Sequence, residues 1–313
     1  MYKAILEKIS QYDKISIFRH QRPDGDAMFS ALALASFLKD NFPEKTIKVA
    51  GEDEYDVISR NDKVSLAYIK ESLAFVLDTS KSDRIDDDRA LKASFIIKID
   101  HHPIDDPYGQ INLLNSNASA CAEVLAAMFF SKEFSSLKLS KKTCEYLYSG
   151  IVTDTINFRT TNVTADTLLI ASRLVREGDL QVAEIVEYVM DKDIDHFVLA
   201  TKIRNRLKIK GHFGYIIFTE KDLEKLGISQ MEAKNNIDEI GKIKDLQIWS
   251  IASQSDGLYD VSVRSKRGHV INAICAEYGG GGHRNAAACK KLTRKQLKTM
   301  YETLTKMSNE VPV

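Results

Sequence analysis

The 313-residue chain is poor in the residues that stiffen, staple or interrupt a fold, with 5 Pro, 4 Cys and a single Trp. Low-complexity tracts and internal repeats are also missing, and a composition 44% hydrophobic and 28% charged excludes the disordered and collagen-like classes. Cys121, Cys144, Cys275 and Cys289 stand at no zinc-site spacing from one another or from a histidine, so each is expected to be a reduced core residue, as in a reducing cytoplasm. No run approaches the ~18 apolar residues of a membrane span. The opening MYKAILEKISQYDK carries Lys3, Glu7, Lys8 and Asp13 before any long apolar stretch, so neither secretion nor membrane insertion is expected.

Net charge is absent too, with 44 basic against 44 acidic residues, but the cancellation hides an asymmetry. Residues 201–313 hold 20 Lys and Arg against 12 Asp and Glu, and residues 1–200 hold 24 against 32. Acidic clusters hold cations and basic faces attract phosphate, so the split suits a metal-bearing domain and an anion-gripping one. Two solvated surfaces of opposite sign would give the same count.

At about 100 to 200 residues per domain, the length predicts two domains. In the first, the runs Ile15 to His20, Ile47 to Gly51, Leu73 to Asp78 and Ser94 to Asp100 are β-branched or aromatic and too short for helices, so they predict buried strands. Ala27 to Leu38 and Ala120 to Phe130 read as helices between them. Strands alternating with helices predict an α/β fold with a mainly parallel sheet covered on both faces, whose ligands gather at the carboxyl ends of the strands. This domain is placed at 1–190, ending in a helical linker from Thr164 to about 200. Residues 201–313 read as a smaller α+β domain: a strand in GYIIFTE (214–220), a helix near Leu223 to Asn235, and a hairpin turning on Ser255, Asp256 and Gly257. A helix at Val270 to Tyr278, a short strand at Ala286 to Cys289 and a terminal helix follow.

Polar residues cluster where those first strands end. In HQRPDGDA, Pro23 and Gly25 can force a sharp turn that aims His20, Asp24 and Asp26 inward, although a lone Asp-x-Asp is more often a turn or helix cap. Asp78 closes the apolar run FVLD, a costly place for an unpaired charge. Asp100, His101 and His102 follow FIIKI. Adjacent histidines in an irregular segment point apart, so one can ligate a metal while the other faces substrate, with Asp100 suited to orienting an imidazole. Asp154 closes SGIVTD. Each piece has a bland reading, but four such pieces in one domain share none, and imidazole with carboxylate, without thiolate, suits Mn²⁺ or Mg²⁺.

The ordered set HQRPDGDA, LDTS, IDHHP and TDT, followed by GGGGHRNAA, resembles the DHH phosphoesterase superfamily with its DHH-associated C-terminal domain, in the branch of nanoRNases and 3′-phosphoadenosine 5′-phosphate phosphatases. The resemblance covers nearly the whole chain. It implies one metal held by His20, Asp24 and Asp78, a second by Asp26, Asp78, His101 and Asp154, and Asp78 as the bridge. His102 then resembles the residue facing the scissile phosphate, and Asp100 its supporting carboxylate. Two Mn²⁺ are implied, with Mg²⁺ or Co²⁺ as alternatives. Phe29 departs from the glycine usual in the family, which puts in question how closely its helix approaches its neighbours.

Successive glycines can turn several backbone N–H groups toward an anion, although four in a row are more often a flexible turn. The resemblance implies the former for Gly280, Gly281 and Gly282 with His283 and Arg284, and Arg264 as a companion arginine. The expected protein is therefore a two-metal phosphodiesterase with an active-site cleft between its domains. It would cut very short oligonucleotides to 5′-mononucleotides and convert 3′-phosphoadenosine 5′-phosphate to AMP. Its expected partners are these short oligonucleotides and nucleotide bisphosphates, with no membrane and no long duplex DNA, and a homodimer is one assembly open to it. Rival readings are a cyclic or linear di-adenylate phosphodiesterase, a manganese pyrophosphatase, against which GGGGH argues, and a non-catalytic nucleotide or RNA sensor, which would be expected to lack a ligand.

Overall fold

The computed structural model describes residues 1–51, 61–103, 106–191, 193–266 and 268–310, without the side chains of Asp238 and His283. It forms two compact units, Met1–Asp191 and Lys192–Val313.

The first unit runs α1 (Tyr2–Gln11), β1 (Lys14–Phe18), α2 (Gly25–Asn41), β2 (Thr46–Val49), α3 (Leu66–Glu71), β3 (Leu73–Leu77), β4 (Phe95–Asp100), β5 (Ile111–Leu114), α4 (Cys121–Phe129), α5 (Lys141–Asp154), α6 (Ala165–Gly178) and α7 (Val182–Met190). Its sheet has the order β2-β1-β3-β4-β5, and every pairing is parallel. Central β3 shows why such strands read as unbroken apolar runs. Leu73, Phe75 and Leu77 enter one core with Ile15, Ile17, Ile97 and Ile99, while Ala74 and Val76 enter another with Phe18, Ile69 and Ile96. The edge strand β5 has little signal in the sequence, because INLL is only four residues long and mostly half-buried.

The helical stretch from Thr164 onward is not a free linker. Ala171 and Leu174 of α6 are buried in the first core, and Ile185, Val186, Val189 and Met190 of α7 pack against it. Then α8 (Ile194–Arg204) falls in the second unit, where Ile203 joins a core with Ile216 and Phe218. Helical spacing of the apolar residues draws each helix onto a core and leaves the division at residue 191.

The second unit continues with β6 (Lys208–Lys210), β7 (Phe213–Phe218), α9 (Glu220–Leu226), α10 (Gln230–Asn235), α11 (Ile237–Gly241), β8 (Ile248–Ser255), β9 (Leu258–Ser265), α12 (Asn272–Glu277), β10 (Gly281–His283), β11 (Ala286–Leu292) and α13 (Arg294–Ser308). The sheet order is β10-β11-β9-β8-β7-β6, antiparallel except between β7 and β8. The β8–β9 hairpin turns on Asp256 and Gly257, both at positive φ, as the Asp-Gly pair predicts. The single helix expected over Leu223 to Asn235 is two. Gly227 ends α9 in the left-handed region at φ +67°, and a Ser229–Glu232 capping box starts α10. All four cysteines are free and buried. Among the described residues, no helix is long and apolar enough to cross a membrane.

Candidate metal centre

The side chains singled out in the first unit do converge. Asp24 is the N-cap of α2 and accepts a 3.1 Å hydrogen bond from the Ala27 N–H. Its helix-capping role therefore coexists with a place beside His20, whose Nε2 lies 3.8 Å from Asp24 Oδ1 and 3.6 Å from Asp78 Oδ2. Asp78 follows β3 with φ +51°, a left-handed backbone that Asp tolerates better than most residues. Its other oxygen, Oδ1, stands 3.3 Å from His101 Nε2, and Nε2 stands 3.8 Å from Asp154 Oδ2. Ligand atoms fall into three groups, His20–Asp24–Asp78, Asp26–His101–Asp154 and Asp78–His101–His102, each within 4.8 Å.

Hydrogen bonds decide which imidazole nitrogens face the cluster. His20 Nδ1 meets the Gln21 carbonyl at 2.8 Å, and His101 Nδ1 meets the Ala118 carbonyl at 3.4 Å. A carbonyl can only accept, so Nδ1 carries a proton in both rings, and Nε2 is the nitrogen that faces the carboxylates and that could ligate a cation after giving up its own proton. The third ring is held differently. His102 Nδ1 donates to Asp100 Oδ1 at 2.8 Å, and the His102 N–H donates to the same oxygen at 3.1 Å. Asp100 is steadied in turn by Lys98, whose buried ammonium lies 3.4 Å from Oδ2 and donates to the carbonyls of Ser80 and Asp106. A lysine inside FIIKID was the sequence's signal for this support, and it was missed.

Charge in the cluster is strongly frustrated. Burial, followed by the carboxylates of Asp78 and Asp154, pushes Asp26 well above the usual carboxyl range. Burial, partly offset by His101, raises Asp154 to about 6. Asp154 is also the last residue of α5, the helix end that disfavours an anion. Burial opposes protonation of His20 and His101, yet their contacts with Asp24, Asp78 and neighbouring acids outweigh it and raise both to about 10. His102 is raised by its hydrogen bond to Asp100. Asp78 is 2% exposed, and its Oδ1 has no hydrogen-bond partner among the described residues.

That orphaned oxygen tests whether the residues suit a cation. An unsatisfied buried carboxylate oxygen is destabilising unless something positive meets it. His101 Nε2 at 3.3 Å makes no hydrogen bond to Asp78 Oδ1, and the other N···O separations of 3.6 and 3.8 Å are too long for one, whereas two ligands each about 2.1 Å from one ion stand about 3 Å or more apart. Hard oxygens with neutral imidazole nitrogens complete a fitting donor set.

Two glycines let the helices close around the cluster. A Cβ on Gly25 would lie 2.6 Å from the Thr153 side chain, and one on Gly150 would lie 2.6 Å from Ala122 Cβ and 2.9 Å from Asp26 Oδ1. Phe29, where the family usually has glycine, is 2% exposed and packs with its ring 6.3 Å from that of Tyr146 on α5. Asp26 meanwhile accepts the N–H groups of Cys121 at 2.6 Å and Ala122 at 3.0 Å, and the Ser30 hydroxyl at 3.1 Å, thereby capping α4.

In the second unit the glycine run is not a loose loop. The N–H groups of Gly279 and Gly280 donate to the carbonyls of Ala276 and Cys275, closing α12, so the Gly280 amide is already engaged. Gly281 and Gly282 belong to edge strand β10, opposite Ala288 and Ala287. His283 pairs with Ala286, and Ala286 pairs with Arg264 on β9, which sets the three in one row across the sheet. The His283 side chain lies outside the described residues. Asn285, unremarked in the sequence, anchors the turn: its Nδ2 reaches Ser265 Oγ and the carbonyls of Lys266 and His269 at 2.9–3.1 Å.

Comparison with known proteins follows the same division. Residues 14–151 match the family model for the DHH family, N-terminal domain, and residues 199–310 match the DHHA1 domain. A Streptococcus mutans protein named "Probable bifunctional oligoribonuclease and PAP phosphatase NrnA" is 34% identical over 307 residues, covering 97% of each chain. The Bacillus subtilis "Bifunctional oligoribonuclease and PAP phosphatase NrnA" is 32% identical, over 90% of this chain and 91% of its own. The crystal structure of an exopolyphosphatase-related protein from Bacteroides fragilis superposes with a TM-score of 0.85 at 21% identity, covering 99% of this chain and 97% of that one. At that identity the likeness speaks for the fold.

Proposed function

Because the chain belongs to the DHH family, with a DHHA1 domain after its DHH domain, it is a phosphoesterase, and we propose that two divalent ions, Mn²⁺ foremost, serve its site. It removes 5′-mononucleotides from very short oligonucleotides and dephosphorylates 3′-phosphoadenosine 5′-phosphate to AMP, a reading supported by relatives in Streptococcus mutans and Bacillus subtilis whose names give oligoribonuclease and PAP phosphatase. His20, Asp24 and Asp78 hold one ion, and Asp26, Asp78, His101 and Asp154 the other. The observation that carries this is the buried carboxylate of Asp78: its Oδ1, without a hydrogen-bond partner among the described residues, stands 3.3 Å from His101 Nε2, and its Oδ2 stands 3.6 Å from His20 Nε2. Divalent ions supply Lewis acidity toward a phosphate ester and lower the pKa of water.

The chain's own groups supply the rest. With Nδ1 tied to Asp100, His102 can exchange a proton only through Nε2, and its hydrogen bond to that carboxylate favours the protonated ring that gives a proton to the departing oxygen. Arg264, His283 and Arg284, beside the side-chain-free edge at Gly281 and Gly282, would bind a phosphate of the nucleotide. Gly280 contributes by lacking a side chain, since a Cβ there would lie 2.2 Å from the Ala288 carbonyl oxygen. Four free thiols suit a reducing cytoplasm. A homodimer would cover the exposed Val182 and Tyr188 of α7, whose other large apolar residues pack on the first core.

A substrate panel tests the reading. 3′-Phosphoadenosine 5′-phosphate, RNA dinucleotides, di-adenylates and pyrophosphate are assayed with Mn²⁺ and with Mg²⁺. Turnover of the first two in Mn²⁺ is expected. Hydrolysis confined to di-adenylates or to pyrophosphate overturns it, and binding without hydrolysis of any substrate makes the protein a sensor.

A further inference from the structure

His101 Nδ1 reaches the carbonyl of Ala118 at 3.4 Å. The N–H of that same peptide unit belongs to Ser119 and donates to Glu123 Oε2 at 2.9 Å. We propose that Glu123 is a positioning residue for the metal centre, acting on His101 through the Ala118–Ser119 peptide. The proposal rests on His101 being a metal ligand, as set out above.

Glu123 lies in the first turn of α4 and is 3% exposed. Besides the Ser119 N–H, its Oε2 accepts the hydroxyls of Ser119 at 2.7 Å and Thr167 at 2.9 Å. Three donors from two separate segments hold that oxygen in place. On its far side the Ser119 residue is fixed again, because Asn162 Nδ2 donates to its carbonyl at 3.2 Å. The amide at 118–119 is therefore clamped before His101 meets it.

A carboxylate at the N–H end of a peptide pushes electron density toward the carbonyl, making it a better acceptor. A better acceptor holds the Nδ1 proton more firmly, fixes the ring and raises the basicity of Nε2, as direct carboxylate–histidine pairs do at metal sites. Here the carboxylate acts across one amide. Nothing in NASACAEV announces this at the level of sequence, because the Glu, the peptide and the histidine meet only through the loop from β5 to α4.

The same hydrogen bonds would serve to cap α4, so the test separates ligand tuning from folding. Mn²⁺ affinity is measured by titration calorimetry on full-length wild type, Glu123→Gln, Glu123→Ala, Thr167→Val and Asp78→Asn, each checked for folding by circular dichroism and melting. Loss of a supporting partner at metal sites typically weakens affinity about 10–100-fold. Glu123→Gln, which keeps a neutral acceptor and the side chain's shape, is expected near the lower figure and Glu123→Ala above it. Thr167→Val loses a hydrogen bond to Oε2 without touching the peptide, and should melt lower with unchanged affinity. In ¹⁵N spectra of the Mg²⁺ form, the His101 Nδ1–H should exchange faster with solvent in Glu123→Gln. Wild-type affinity and exchange in a folded Glu123→Gln, or equal affinity losses in Glu123→Gln and Thr167→Val, overturn the proposal. Unchanged affinity in Asp78→Asn overturns the metal centre itself.

Discussion

Asp78 Oδ1 lies 3.3 Å from His101 Nε2, and no hydrogen bond from the described residues reaches that oxygen, although the residue is 2% exposed. A buried carboxylate left in this condition makes Asp78 the centre of the candidate cation site.

Removing that charge should separate binding from folding. Asp78→Asn is expected to lose Mn²⁺-dependent turnover while staying folded. Mn²⁺ should raise the melting temperature of the wild type but not of the variant, since a ligand at 100 times its Kd adds about 2.7 kcal/mol to the native state. Full activity in EDTA, or a variant melting shift equal to the wild type's, would be the contrary result.

His102 should behave otherwise. Its ring is tied to Asp100 rather than to the cluster's Nε2 positions, so His102→Ala should keep its metal content and lose about 10²- to 10⁴-fold in kcat. Equal metal loss in His102→Ala and His101→Ala would show that the two histidines share one role.

Arg264→Ala and His283→Ala should lower kcat/KM for nucleotides with metal stoichiometry unchanged, because the row across β9, β11 and β10 belongs to the second unit. Metal analysis beside steady-state kinetics checks it, and a parallel loss of metal would count against a substrate role.

Substrate length gives a further expectation. Affinity for long strands needs many phosphate contacts and bases stacked on aromatic faces. The chain has one tryptophan, and Trp249 is 8% exposed within β8. kcat/KM should therefore fall from di- and trinucleotides to long single strands, with weak salt dependence. Rates that climb with length, or processive digestion, would point to a long-strand exonuclease.

Acid should weaken the second unit at one identifiable point. The Thr219 N–H in the α9 capping box, aided by its hydroxyl and by Arg206 at 2.7 Å, holds Asp222 down to about 2. A carboxyl lower in the folded than the unfolded chain, where it is about 3.9, stabilises above that value, and the benefit disappears as pH falls through about 2. Asp222→Asn should thus lower the urea midpoint at pH 7 and make little difference at pH 2. Equal differences at both would refute the assignment.

The sequence by itself determined which candidate ligand types stand at the strand ends. Buried parallel strands must be apolar throughout, so His20, Asp78 and Asp100 to His102 stand out where the runs β1, β3 and β4 end, and the turn at Asp256-Gly257 is equally local. What it left open depends on contacts between distant segments. Asp26 caps α4 through Cys121 and Ala122, Lys98 steadies Asp100 from inside a strand, and the Gly280 amide is taken by Cys275. Glu123 reads as an ordinary first-turn helix residue until the peptide before it is seen against His101. Periodicity reports which residues are buried. Which donor meets which acceptor is decided only when the chain has folded, because a hydrogen bond requires atoms within about 3 Å, a precision that no local pattern contains.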